Sequence, residues 1–214
     1  MAFLNDDIRN EIGPILNELK ETVTLVFFTQ KTECRFCKET RELLEEITSL
    51  SPKLALEVLD FQRDAKKAEE YGVDKIPATV VLSPDYRGMR FFGIPSGYEF
   101  TSLLEAIRVA STSDSGLSAD TRAFLDGLEE NLHLQVFVTP TCPYCPGAVT
   151  LAHRMAHYSS RVTADMVEAT EFPHLSQKYN VMGVPRTVIN ENAFQEGAAP
   201  EETLVQKIRS ALGS

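Results

Sequence analysis

The chain has 214 residues, 43% hydrophobic and 24% charged, with 21 basic against 31 acidic side chains for a formal net charge of −10. That length suits two domains of ~100 residues each, large enough to bury cores without metal or disulfide staples. The acidic balance, with no run of Lys and Arg, argues against nucleic acid or an anionic membrane surface as partner, and no apolar run approaches the ~20 residues of a membrane span.

The N-terminal stretch MAFLNDDIRNEIGPILNELK is acidic and lacks a long apolar core, so it reads as neither a signal nor a transit peptide. A cytoplasmic location is expected, where structural disulfides are rare and paired cysteines point to catalysis or metal binding. The same stretch carries Ile8, Ile12, Ile15, Leu16 and Leu19 at helical spacing, with a break or restart expected at Gly13-Pro14. A short apolar run, TVTLVFF (22–28), suits a strand covered on both faces. After Cys34 and Cys37, a helix presents Leu43, Leu44, Ile47 and Leu50 on its apolar face. A strand, KLALEVLD (53–60), and a short helix lead to Pro77. The strands ATVVLS (78–83) and MRFFG (89–93) follow, the latter reading as core, and then a helix with Phe100, Leu103, Leu104 and Ile107. The segment STSDSGLSAD (111–120) has linker chemistry, which divides the chain into units 1–115 and 116–214, with the boundary near Gly116.

The second unit repeats the first. Cys142 and Cys145 follow Cys34 and Cys37 at one offset of 108 residues (142 − 34 and 145 − 37). At that offset YGVDKIPATVV (71–81) lies over YNVMGVPRTVI (179–189) without a gap, and Phe36 lies over Tyr144. The counterpart elements are a helix with Phe124, Leu125, Leu128 and Leu132, a strand LQVFV (134–138), the second cysteine pair, a strand RVTADMVE (161–168), and a closing helix with Leu204, Val205 and Ile208. The order βαβ, α, ββα predicts an α/β fold in each unit, a central mixed sheet flanked by helices.

A CxxC on the first turn of a helix brings the two Cβ atoms to ~5–6 Å, the neighbour spacing of residues three apart, and a small adjustment closes a disulfide. The positive helix N-terminus favours a thiolate on the first cysteine. Cys34 and Cys142 are thus the candidate nucleophiles, with Cys37 and Cys145 the more buried resolving thiols. Two CxxC pairs also supply four zinc ligands, but zinc ribbons keep the pairs ~15–20 residues apart, far closer than Cys37 and Cys142. In each unit a proline at a strand entry follows the first cysteine by 43 residues (77 − 34 and 185 − 142).

CxxC at a strand–helix junction, with Ile/Val-Pro-x-Thr some forty residues on, resembles the thioredoxin/glutaredoxin superfamily, and CPYC (142–145) is the glutaredoxin-type sequence. Two such units in one chain resemble the tandem glutaredoxin-like protein disulfide oxidoreductases. The resemblance implies two thioredoxin-like folds and an enzyme that reduces, forms or exchanges protein disulfides. Pro77 and Pro185 would be cis and lie against the disulfides. Ile76 and Val184 would offer backbone groups to an extended substrate, beside Phe36 and Tyr144. Thioredoxin's buried Asp six residues before the first cysteine is replaced by Phe28 and Val136. Asp60 and Glu168, equivalent at the offset of 108, are candidates for proton transfer instead. Arg35 in CRFC, where the second motif has Pro143, implies that the two centres differ in reduction potential; ~30 mV corresponds to ~1.4 kcal/mol.

The expected partners are protein disulfides or dithiols and a thioredoxin reductase-like electron donor. No phosphate-binding glycine loop occurs, and neither a metal nor another cofactor is expected. His153 and His157 lack the HExxH pattern and read as ordinary surface or half-buried side chains. Two other roles are an electron-transfer module feeding a peroxiredoxin and a glutathione-dependent glutaredoxin. Against the first stands the intact first cysteine pair. Against the second stands the acidic QEGAAPEE (195–202) where glutaredoxins bind glutathione's carboxylate.

Overall fold

A computed structural model of the chain describes residues 3–82, 88–112 and 114–213. Ser83, the last residue of the expected strand ATVVLS, and Ser113 of the linker lie outside the described residues.

The first unit runs α1 (Asp6–Asn17), β1 (Val23–Thr29), α2 (Cys37–Thr48), β2 (Leu54–Asp60), α3 (Ala65–Glu70), β3 (Ala78–Leu82), β4 (Met89–Phe92) and α4 (Glu99–Ala110). The second runs α5 (Ala119–Asp126), β5 (Leu132–Val138), α6 (Cys145–Tyr158), β6 (Val162–Glu168), α7 (Pro173–Lys178), β7 (Arg186–Ile189), β8 (Ala193–Glu196) and α8 (Glu201–Leu212). Two local expectations are corrected. Helix α1 passes through Pro14 unbroken. The residue before a proline resists helical geometry because its Cβ meets the ring, and Gly13 has no Cβ. Ile12 and Leu16 bury the face on either side, while the Asn5 side chain accepts the Ile8 N–H at 2.8 Å to cap the helix. Leu132, expected in the helix that opens the second unit, belongs instead to β5; α5 has already ended at Asp126.

In each unit the first strand lies parallel to the second and antiparallel to the third, which pairs antiparallel with the fourth. What the sequence did not announce is the join. β4 pairs in parallel with β6, from Met89 opposite Ala164 to Phe92 opposite Val167. The two four-stranded sheets thereby become one mixed sheet of order β2-β1-β3-β4-β6-β5-β7-β8. Side chains alternate across it. Leu25, Phe27, Met89, Phe91, Val136 and Met166 feed the core under the long helices, and Val26, Phe28, Phe92, Phe137 and Val167 feed a smaller core on the other face.

Charge also crosses the seam. Arg90 of β4 stands opposite Asp165 of β6, both buried, and its Nε donates to Oδ1 at 2.7 Å. Arg90 also donates to the Gly72 carbonyl, and His133 Nε2 lies 2.6 Å from the other Asp165 oxygen. Burial works to raise the Asp165 carboxyl, but Arg90 and His133 outweigh it and hold the group below its ordinary range. Helix α6 is sandwiched between α4 and the sheet. That corrects the expectation for its histidines, because His153 and His157 are both buried. Their Nε2 atoms reach the carbonyls of Arg90 and Thr112 at 3.2 and 3.1 Å.

Candidate active site: two dithiol centres at one end of the sheet

β1 and β5 deliver the chain to the same end of the sheet, and there the two cysteine pairs stand, each closed as a disulfide: Cys34–Cys37 and Cys142–Cys145. Both pairs have Cα atoms 5.5 Å apart. Helices α2 and α6 begin at the second cysteine of each pair, so the first cysteine lies in the preceding loop rather than in the first helical turn. The residues at the helix starts, Phe36 and Tyr144, supply no side-chain cap. The positive ends of both helices are therefore left to favour negative charge on the loop before them, which is where Cys34 and Cys142 sit. Burial is graded as a nucleophile and resolver require. Cys34 is half-buried and Cys37 4% exposed; Cys142 is 7% exposed and Cys145 fully buried.

The proline segments come to the same end. Ile76–Pro77 and Val184–Pro185 are cis. Ala78, next after Pro77, pairs with Phe28 near the end of β1, and Arg186, next after Pro185, pairs with Phe137 near the end of β5. The Pro77 and Pro185 carbonyls accept the N–H groups of Gly93 and Gly197 at 2.9 and 2.8 Å. Both prolines are buried, while Ile76 and Val184 are half-buried and pack against the core that holds the cysteines. The surroundings then diverge. Tyr144 is 73% exposed and Met182, two residues before Val184, is 85% exposed. Their counterparts Phe36 and Asp74 are half-buried and a charged residue, respectively.

Asp60 and Glu168 occupy equivalent strand ends, opposite Thr29 and Val138. Asp60 lies on an edge strand and ties a turn. It accepts the Arg63 and Gln62 N–H groups, which hold its carboxyl below the ordinary range. Glu168 lies on an interior strand and is buried. Its Oε2 accepts from Thr170 Oγ1 and Glu171 N–H at 2.7 Å each, and its Oε1 is buried without a hydrogen-bond partner.

Sequence reasoning missed Glu99. It opens α4 and is 1% exposed, with Oε2 accepting from Ser102 and Oε1 unpartnered. Burial pushes its carboxyl up to about 7, against the Ser102 bond, which lowers it. The segment just before it docks on the loop that carries the second pair. Tyr98 N–H donates to the Pro140 carbonyl at 3.0 Å, and a Cβ at Gly97 would meet that oxygen at 2.2 Å. The visible signal was a Glu between Tyr98 and Phe100. Among the described residues no group of three or more His, Cys, Asp or Glu is arranged to hold a metal ion.

A helix-backed CxxC disulfide beside a cis-proline strand entry, present twice, defines a thioredoxin-like thiol–disulfide oxidoreductase. A thioredoxin-domain family model matches residues 132–210. The crystal structure of a protein disulfide oxidoreductase from Aeropyrum pernix superposes with a TM-score of 0.91 and 32% identity, covering 99% of this chain and 94% of that one. The chain belongs to that family of protein disulfide oxidoreductases within the thioredoxin superfamily. The N-terminal domain structure of alkylhydroperoxide reductase AhpF from Enterococcus faecalis is also similar, with a TM-score of 0.89 and 28% identity over 96% of this chain and all of that one. The F component of alkyl hydroperoxide reductase from Staphylococcus aureus is 28% identical over 212 residues; the match takes in 99% of this chain but only 38% of that protein's length.

Proposed function

We propose that Cys142 is the principal nucleophile acting on protein disulfides and dithiols, that Cys145 resolves, and that Cys34 with Cys37 forms a second centre of different potential. The units are residues 1–115 and 116–214. In the reductive direction the Cys142 thiolate attacks a substrate disulfide sulfur, forming a mixed disulfide and expelling one substrate thiolate. The Cys145 thiolate then attacks Cys142 Sγ, closing the protein disulfide and expelling the second. Two electrons leave the dithiol, and the two expelled thiolates take up protons. A dithiol on a thioredoxin reductase-like donor restores the reduced state, in the cytoplasm; among the described residues no helix is long and apolar enough to cross a membrane. The oxidative direction is the reverse.

The observation that carries this reading is the burial gradient within each disulfide: Cys34 is half-buried against 4% exposure at Cys37, and Cys142 keeps 7% exposure against none at Cys145. The exposed Tyr144 and Met182 beside Val184 and Pro185 favour the second centre as the docking groove for unfolded chain, whose apolar side chains they would cover. Cys145→Ser is expected to accumulate a mixed disulfide with substrate at Cys142, seen by mass spectrometry. Replacing Cys34 and Cys142 together by Ser is expected to bring insulin-disulfide reduction to the uncatalysed rate. Adducts found at Cys34 alone would reverse the assignment of the main centre.

A second reading takes support from the likeness to the N-terminal domain of AhpF. In it the chain passes electrons to a peroxiredoxin, and peroxide consumption that depends on an added peroxiredoxin would select it.

A further inference from the structure

A carboxyl from the second unit lies within electrostatic reach of the segment that holds the first dithiol. Glu171 belongs to the turn after β6 in the second unit, yet its Oε1 accepts the N–H of Ile94, just past β4 of the first unit, at 2.7 Å. The approach is close enough to need glycine. Gly93 has φ +96°, and a Cβ there would lie 2.6 Å from Glu168 Cβ and 2.8 Å from Glu171 Oε1. The charged groups facing Glu171 are Glu168 at the end of β6, Arg35 inside the first cysteine motif, and Glu39 in the first turn of α2. Two buried oxygens in this group, Glu168 Oε1 and Glu39 Oε2, have no hydrogen-bond partner. Three carboxyls and one guanidinium thus lie within electrostatic reach of Glu171 and one another where the units join, two of the four groups coming from the segment that holds Cys34 and Cys37.

Arg35 is the chain neighbour of Cys34, and its charge favours the Cys34 thiolate. A carboxylate at 171 draws on the same cation and so weakens its hold on the thiolate. We propose that Glu171, reaching across the join, is a positioning residue for the first dithiol that sets how readily Cys34 ionises. Burial, Glu168 and Glu39 push the Glu171 carboxyl up, against the Ile94 hydrogen bond and Arg35, to about 7. It therefore changes charge in the range where a dithiol works. Below that range it is neutral and leaves Cys34 to the helix end and Arg35; above it the new charge opposes the thiolate and makes the first pair a weaker oxidant.

This inference rests on the first pair being a redox centre, and the test separates the two ideas. In a Cys142→Ser/Cys145→Ser background, the reduced protein is alkylated with iodoacetamide from pH 5 to 9, and the rate at Cys34 is read by mass spectrometry. Glu171→Gln keeps an oxygen for Ile94 and is expected to lower the apparent Cys34 pKa by about half a unit, up to a threefold gain in thiolate at pH above about 7, where the parent's Glu171 is charged. The curves converge toward pH 5, where residue 171 is neutral in both proteins. Glu171→Asp, which keeps the charge, is expected to retain the parental curve. In the complementary Cys34→Ser/Cys37→Ser background, the Cys142 curve is expected not to move. Superimposed Cys34 curves for the parent and Glu171→Gln, or an equal shift at Cys142, overturn the proposal. Absence of insulin reduction in the first background strikes instead at the redox reading, while the alkylation curves still decide the role of Glu171.

Discussion

The two units share a topology and a chemistry, but one has its second strand at the rim of the sheet and the other has it inside. β2 is an edge strand with most of its residues partly or fully exposed, whereas β6, gripped by β4 and β5, is buried along nearly its whole length. The fourth strands are exchanged in the opposite sense. β4 is wholly buried, while β8 forms the far edge and half its residues face solvent. Equivalent residues therefore meet different fates. Asp165 is bridged to Arg90 in the core, while Glu57, one repeat earlier, pairs with Lys67 in solvent. Asp60 caps an exposed turn, while Glu168 is sealed beside Glu171. Sequence repetition sets which groups each centre has to hand, and the join decides which of them lose water and acquire unusual acidity.

The sharpest way to break this contrast is at the seam. Arg90→Met would leave Asp165 ionised and buried with only His133 for company. Removing one partner of a buried pair costs on the order of 3–5 kcal/mol, so urea unfolding should show a loss of that size.

A somewhat smaller effect should follow from pH. Burial lowers the His153 imidazole to about 4, whereas in the unfolded chain it titrates near ~6.5. Between those values the unfolded chain takes up a proton that the folded chain refuses. Stability is thus lost as pH falls from ~6.5 to ~4, by about 3 kcal/mol in total. Glu99 works the other way. Its raised carboxyl contributes stability below its unfolded pKa, and that contribution is lost as pH rises through about 7. The two slopes oppose each other in the wild-type chain. Urea unfolding at pH 4 and 7 should show His153→Gln relieving the acid loss and Glu99→Gln relieving the loss toward neutrality.

The smallest effect is expected at the rim. Glu57→Gln removes a partner that solvent readily replaces, and the unfolding midpoint should stay within experimental error.

Much of this was readable in advance, for a physical reason. Period-two and period-3.6 apolar patterns report local burial, so β1, β2, α2, α4 and their counterparts stood out. The cysteine and proline spacings survived because both units need the same geometry. Edge-to-edge pairing leaves no periodic trace. MRFF reads as an apolar strand whether or not another strand lies beside it, and only the opposite charges of Arg90 and Asp165 inside otherwise apolar runs hinted at a join. The histidines were misplaced for the same reason, because nothing in α6 reveals that α4 closes over it. Glu99 and Glu171 were overlooked because the segments that hold them dock on the other unit, which no local pattern reveals. Leu132 was misassigned because Leu125, Leu128 and Leu132 extend a helical rhythm past the point where Gly127 ends the helix.

Gly97 carries a further consequence. Its missing side chain lets the Tyr98 amide reach the Pro140 carbonyl, two residues ahead of Cys142. A protein severed at residue 116 would strip that carbonyl of its donor and uncover a flank of the CPYC loop. Half the molecule, expressed alone, would carry both reactive sulfurs but not the wall against which they were set.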